Sequence, residues 1–170
     1  MQAALLPRLI VMLALATMAP LATAAGNAKR PITAQDLWAV KRVGAPALSP
    51  DGKRAVVSVQ EWSIEKNKPT ASLWLVDVSD GKARRLTNAG SSDGSATWSH
   101  DGSRIAFVAT RGSDTTAALY VIAADGGEAE RLLELPYGVS NPRWLPGDAA
   151  IVLGTKVIPE MAGAFDKASL

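Results

Sequence analysis

Cysteine is absent from the 170 residues, and histidine occurs once, at His100. No disulfide framework and no thiolate or polyhistidine metal site can therefore be built from this chain. Charge of one sign is scarce as well, since 18 Lys+Arg stand against 16 Asp+Glu for a formal net charge of +2. The basic pairs Lys29-Arg30, Lys41-Arg42, Lys53-Arg54 and Arg84-Arg85 are kept apart by acidic or apolar stretches, so no basic stripe offers itself to nucleic acid. Aromatic residues make up only 5% of the chain. The length admits one ordinary domain or two small ones, and no cofactor and no metal is expected.

What is present begins with an address. Arg8 precedes the apolar run Leu9-Ile10-Val11-Met12-Leu13-Ala14-Leu15-Ala16, which is too short to span a bilayer and is followed by Pro20. Ala22-Thr23-Ala24 then supplies the small-x-small pattern of a signal peptidase site. Residues 1–24 are expected to be a cleaved signal peptide, which predicts a periplasmic or secreted protein with no membrane attachment after cleavage. The lack of Cys suits such an oxidising compartment.

Residues 25–46 read as an N-terminal segment with a short helix over 33–43. Thr33-Ala34-Gln35-Asp36 resembles a capping box, Leu37, Val40 and Val43 would share an apolar side, Gly44 could end the helix, and Pro46 prevents its continuation. Beyond it, β-branched residues, alternation and turn signals dominate.

The strongest signal is an internal repeat. Ala47-Leu48-Ser49-Pro50-Asp51-Gly52-Lys53-Arg54-Ala55-Val56-Val57 aligns with Thr97-Trp98-Ser99-His100-Asp101-Gly102-Ser103-Arg104-Ile105-Ala106-Phe107 at an offset of 50 residues. A third copy, Arg143-Trp144-Leu145-Pro146-Gly147-Asp148-Ala149-Ala150-Ile151, follows 46 residues later, with Asp and Gly in swapped order. Leu73-Trp74-Leu75-Val76 matches Leu119-Tyr120-Val121-Ile122, and Arg85-Leu86 matches Arg131-Leu132, again 46 apart. The difference falls in Glu61 to Thr70, read here as a lengthened loop.

In Ser49-Pro50-Asp51-Gly52, Pro presets one turn position, Asp suits the next, and Gly takes positive φ without steric cost. Pro50, Asp51, Gly52, Asp101, Gly102, Pro146 and Gly147 are the expected turn residues. Leu48, Trp98 and Trp144, each preceding a turn, should pack on the alternating residues that follow it. Asp80-Gly81 and Asp125-Gly126-Gly127 mark a second hairpin per unit. Four strands in 46 to 50 residues make a propeller blade. The expected fold is all-β, an incomplete β-propeller of two to three four-stranded blades over residues 47–158, with 159–170 starting an insertion or a truncated tail.

The pattern Trp98-Ser99-x-Asp101-Gly102-x-x-Ile105-Ala106-Phe107, then Leu119-Tyr120-Val121, Asp125-Gly126-Gly127 and Arg131-Leu132, resembles the TolB-like propeller repeat. The opening Ile32-Thr33-Ala34-Gln35-Asp36-Leu37-Trp38 through Lys41-Arg42-Val43 to Asp51-Gly52 is similar to the start of secreted prolyl oligopeptidase-family serine peptidases of the dipeptidyl or acylaminoacyl type. That resemblance implies a propeller screening peptide access to a C-terminal α/β-hydrolase domain that carries the catalytic residues and is absent here. A closed ring needs at least roughly 160 residues, so the sequence is expected to be the N-terminal portion of a longer peptidase. A periplasmic TolB-like interaction module without catalysis is the alternative, and a secreted amidohydrolase, betrayed by downstream His-x-His ligands, is a third option.

No catalytic residue is assigned. Gly90-Ser91-Ser92-Asp93-Gly94 fits Gly-x-Ser-x-Gly, but the strand-like Ser95-Ala96-Thr97-Trp98 follows it where a nucleophile elbow requires a helix. His100 takes the place of Pro50 in a turn. Asp93, Asp101 and Asp114 lack the spacing of a calcium loop and are expected to be solvated loop carboxylates. Trp62, which does not recur, is the candidate loop contact with substrate, neighbouring domain or partner. Pro159 to Ala168 would begin a helix.

Overall fold

The structure is a computed structural model that describes residues 30–157 except 66 and 89–91. The leader, the tail helix and part of the Gly90–Gly94 motif lie outside the described residues. All that follows concerns the compact unit beginning at Thr33.

The chain opens with helix α1 (Ala34–Ala39), whose capping box forms as its sequence dictates: Thr33 Oγ1 accepts from Asp36 N–H and Asp36 accepts from Thr33 N–H. The helix stops at Ala39, short of the expected 43, because Val40 is already extended. No residue of α1 is buried, and Leu37, Val40 and Val43 are exposed rather than forming an apolar face. Gly44 makes a close approach instead of a helix cap. Its N–H donates to Ser58 O at 2.8 Å, and a Cβ there would collide with Ser58 Oγ.

Eleven strands then follow among the described residues. The first blade comprises β1 (Arg42–Val43) and β2 (Ala47–Leu48), both paired with β3 (Arg54–Ser63), then β4 (Lys68–Asp77) and β5 (Ala83–Arg85). The second is β6 (Gly94–Trp98), β7 (Arg104–Ala109), β8 (Ala118–Ala123) and β9 (Glu130–Leu133), hydrogen-bonded in that order. The third is represented by the hairpin of β10 (Val139–Trp144) and β11 (Ile151–Thr155). Every pairing is antiparallel except an isolated parallel bridge between Ala71 and Ser92. Three sheets that do not close on one another are the incomplete propeller that the repeat predicts.

The strand period of two puts alternate residues on opposite faces, and β7 shows how this joins blades. Ile105, Phe107 and Ala109 point into a cluster with Val56, Leu73, Leu75 and Leu86 of the first blade and with Trp98. Ala106 and Val108, on the other face, join Trp144, Val139, Ile151 and Leu153 of the third. Fully burying a side chain such as Phe107 or Ile105 contributes about 1.5–3 kcal/mol, and both are completely buried. Leu48 departs from the expected packing. It is 61% exposed, outside both apolar clusters of the described residues.

Candidate functional site

The repeat turns are built from one hydrogen-bond scheme used twice. Ser49 Oγ accepts from Arg54 N–H at 2.9 Å and donates to Asp51 Oδ1 at 2.6 Å, and Asp51 also accepts from Lys53 N–H. Ser99, Asp101, Ser103 and Arg104 repeat these contacts at matching distances. Both serines are buried, and Gly52 and Gly102 take φ of 69° and 70° to close the turns. Hydrogen bonds from Ser99 and Ser103 hold the Asp101 carboxyl down at about 2. The third turn is different: Asp148 occupies the left-handed position at φ 57°, and its carboxylate reaches back to accept from the backbone N–H groups of His100 and Asp101. His100 Nδ1 lies 2.9 Å from the same carboxylate.

The arginine after each of the first two turns ties blade to blade. Arg54 lies 5.1 Å from the ring centroid of Trp98, and Arg104 lies 4.7 Å from that of Trp144. Each indole N–H in turn donates to the preceding blade, Trp98 to Ala47 O at 2.9 Å and Trp144 to Thr97 O at 3.4 Å. Such cation–π pairs are worth about 0.5–2 kcal/mol. Ala150 occupies the corresponding position of the third unit.

At the opposite end of the blades lies a polar clamp. Asp93 is buried, accepts from Thr87 Oγ1, and receives Arg111 in a two-point grip at 3.1 and 2.6 Å. The Arg111 guanidinium lies over the neighbouring, stacked rings of Phe107 and Tyr120, 4.9 and 5.0 Å from their centroids. Asp114 accepts from Tyr120 O–H, Arg111 N–H and Arg131. Burial opposes ionisation of Asp114, yet these three donors together hold its carboxyl below the usual range. Burial and the Asp114 carboxylate push the Tyr120 hydroxyl up to about 12. Arg131 also bridges to Glu134, whose carboxylate takes the N–H groups of Thr115 and Thr116. Asp93 and Asp114 are thus corrected from solvated loop carboxylates to buried ion-pair partners, while Asp101 is an exposed turn residue.

Facing inward from the first strand of each unit is a third feature. Ser95 and Asn141, 46 residues apart, both adopt left-handed φ, 51° and 49°. Each coincides with an interruption of register, in β6 between Gly94 and Thr97 and in β10 between Ser140 and Arg143. The break between β1 and β2 at Ala45 is the same irregularity in the first unit. Bulges of this sort re-aim side chains, and here they border a cavity of about 350 Å³.

Trp62 is corrected from a loop to a strand residue. The region Glu61 to Thr70 extends the β3–β4 hairpin, with Trp62 paired opposite Pro69. Its ring packs at 5.1 Å from that of Trp38, and its buried Nε1 has no partner among the described residues.

The sequence matches the TolB beta propeller domain over residues 33–161. The chain belongs to that family. This TolB-type propeller is 35% identical over 125 residues to the uncharacterized peptidase YuxL of Bacillus subtilis, covering 74% of this chain and 19% of that protein. It is 33% identical over 90 residues to dipeptidyl-peptidase 5 of Porphyromonas gingivalis, covering 53% of this chain and 13% of the relative. It therefore spans less than a fifth of each of these curated relatives. In fold it is similar to the β-propeller domain of the Trilobed protease from Pyrococcus furiosus, with a TM-score of 0.55 at 14% identity over 69% of this chain and 35% of that one.

Of the residues singled out in the sequence, Pro50, Asp51, Gly52, Asp101, Gly102, Pro146 and Gly147 lie in the three turns. Ser92 and His100 lie at opposite ends of β6, separated by roughly 17 Å of strand, so the structure does not bring them together. Among the described residues, no group of three acidic or histidine side chains is placed to hold a metal, and no helix is long and apolar enough to cross a membrane.

Proposed function

We propose that this propeller is the N-terminal part of an exported serine peptidase of the prolyl oligopeptidase family, screening peptides on their way to a C-terminal α/β-hydrolase domain. The observation that carries the reading is the match to two peptidases over a small share of their length, together with a fold that, among the described residues, keeps Ser92 and His100 apart. Hydrolysis would then be the work of residues beyond this chain, and the role of these blades would be steric. The signal-like residues 1–24 supply the export half of the proposal.

The test is to follow the reading frame past Leu170, express the whole product, and assay it on dipeptidyl and N-acyl-aminoacyl chromogenic substrates. A strand–elbow–helix Gly-x-Ser-x-Gly downstream and turnover abolished by a serine-directed reagent are expected. More blades followed by a stop, with no turnover, would establish the non-catalytic interaction module instead, and downstream His-x-His ligands would point to an amidohydrolase.

A further inference from the structure

The three inward bulges raise a question the fold alone does not answer. The left-handed region is disfavoured for residues with a Cβ, less so for Asn, and this chain places Ser95 and Asn141 there at repeat-equivalent positions where glycine would serve. The cavity they border is lined by Ser58, Ser95, Asn141 and Arg143 together with apolar Ala45, Pro46 and Val56. Its volume, about 350 Å³, lies at the small end of the roughly 300–1,000 Å³ typical of ligand pockets. The lining holds one full positive charge and no carboxylate. Arg143 spends Nη1 on Pro142 O at 3.2 Å, which fixes the head group while leaving the rest of its donor fork available. Four other arginines are engaged in packing: Arg54 and Arg104 on tryptophans, Arg111 and Arg131 on carboxylates.

We propose that this axial cavity is a carboxylate-binding subsite, in which Arg143 grips the anion and Ser95 and Asn141, held inward by their bulges, donate hydrogen bonds beside it. An arginine fork matches the two oxygens of a carboxylate, and such charge-assisted bonds are stronger than neutral ones even where, as here, Ser95, Asn141 and Arg143 are exposed. The bound group is a peptide carboxylate, either the C-terminus or an acidic side chain. That choice of ligand rests on the peptide-screening function proposed above; the pocket chemistry itself does not.

The test uses the product of the entire reading frame, pretreated with a sulfonyl fluoride so that peptides survive, and isothermal titration with three probes. These are a neutral tripeptide with a free C-terminus, its C-terminal amide, and the same amide carrying one glutamate. Binding of the free acid alone identifies a C-terminal carboxylate, and binding of the glutamate amide as well identifies any carboxylate. Either result, with affinity falling about tenfold to a hundredfold in Arg143→Gln, is expected. Equal binding of all three probes, binding of none, or an unaltered Arg143→Gln overturns the subsite. Asn141→Gly guards against misfolding as an explanation: it relieves the backbone strain while deleting the amide, so it should be at least as stable as the parent and bind the acid more weakly. Unchanged affinity there removes Asn141 from the site and reduces its bulge to geometry. Hydrolysis by the untreated protein is scored separately, so a peptidase that ignores carboxylates and a carboxylate binder that cleaves nothing are told apart.

Discussion

Replacing Arg111 with methionine isolates the polar clamp. Methionine keeps an unbranched apolar stem against Phe107 and Tyr120 but removes both hydrogen bonds to Asp93, whose side chain is 0% exposed. Thr87 still donates, but the buried carboxylate loses its bidentate cation. Stranding a buried charge in this way costs about 3–5 kcal/mol, and the lost cation–π contacts add about 0.5–1 kcal/mol. Against the roughly 5–15 kcal/mol of a whole domain this is a large share. Urea unfolding followed by tryptophan fluorescence, at concentrations low enough to suppress association of open blade faces, should show the midpoint falling by at least about 1 M. Asp93→Asn in the Arg111→Met background removes the stranded charge, so the double variant should recover at least about 1 kcal/mol relative to additivity. A single variant within about 1 kcal/mol of the parent, or strict additivity of the pair, would refute the clamp as a stabilising element.

Asp101 provides a pH test. Because folding depresses its pKa from 3.8 to about 2, its contribution is complete above the unfolded value and is lost as the pH falls from about 4 through 2. An NMR titration should find its midpoint near the lower figure, and Ser99→Ala should return it toward the ordinary value. Trp98→Phe keeps a ring beneath Arg54 but deletes the N–H that Ala47 O accepts, and should cost about 1–2 kcal/mol in thermal or urea unfolding. No measurable loss would mean that the indole N–H contributes nothing to the junction of the first two blades.

Blade architecture was legible because turn chemistry and period-two alternation repeat: Ser49-Pro50-Asp51-Gly52 and Ser99-His100-Asp101-Gly102 differ at one position and fold identically. Trp98 and Trp144 announced themselves as packing residues by recurring. The arginines that stack on them recur too, at Arg54 and Arg104, yet charge is ordinarily read as surface and their neighbours are 44 and 40 residues away. The clamp was illegible for a different reason. Asp93 and Arg111 lie in connections of unrelated composition, and only the register of β6 against β7 brings them together. Pro69 and the charges that follow Trp62 suggest a loop, whereas Pro69 sits near the start of a strand, where its missing N–H is tolerated. The inward cavity has no linear signature at all, since Ser95 and Asn141 become equivalent only once the blades are superposed by their offset.

The division of β7 between two apolar clusters has a thermodynamic consequence. Blade two faces its neighbours through disjoint sets of side chains, Ile105, Phe107 and Ala109 on one side and Ala106 and Val108 on the other. Energy therefore passes along the row of blades as between adjacent spins in a one-dimensional chain, each contact knowing only the units that share it. Cooperativity between the two junctions has to be transmitted by the β6–β7–β8 ladder itself. A defect introduced at one seam leaves the other with its own contacts intact, and melting can begin at an outer blade and advance inward one unit at a time.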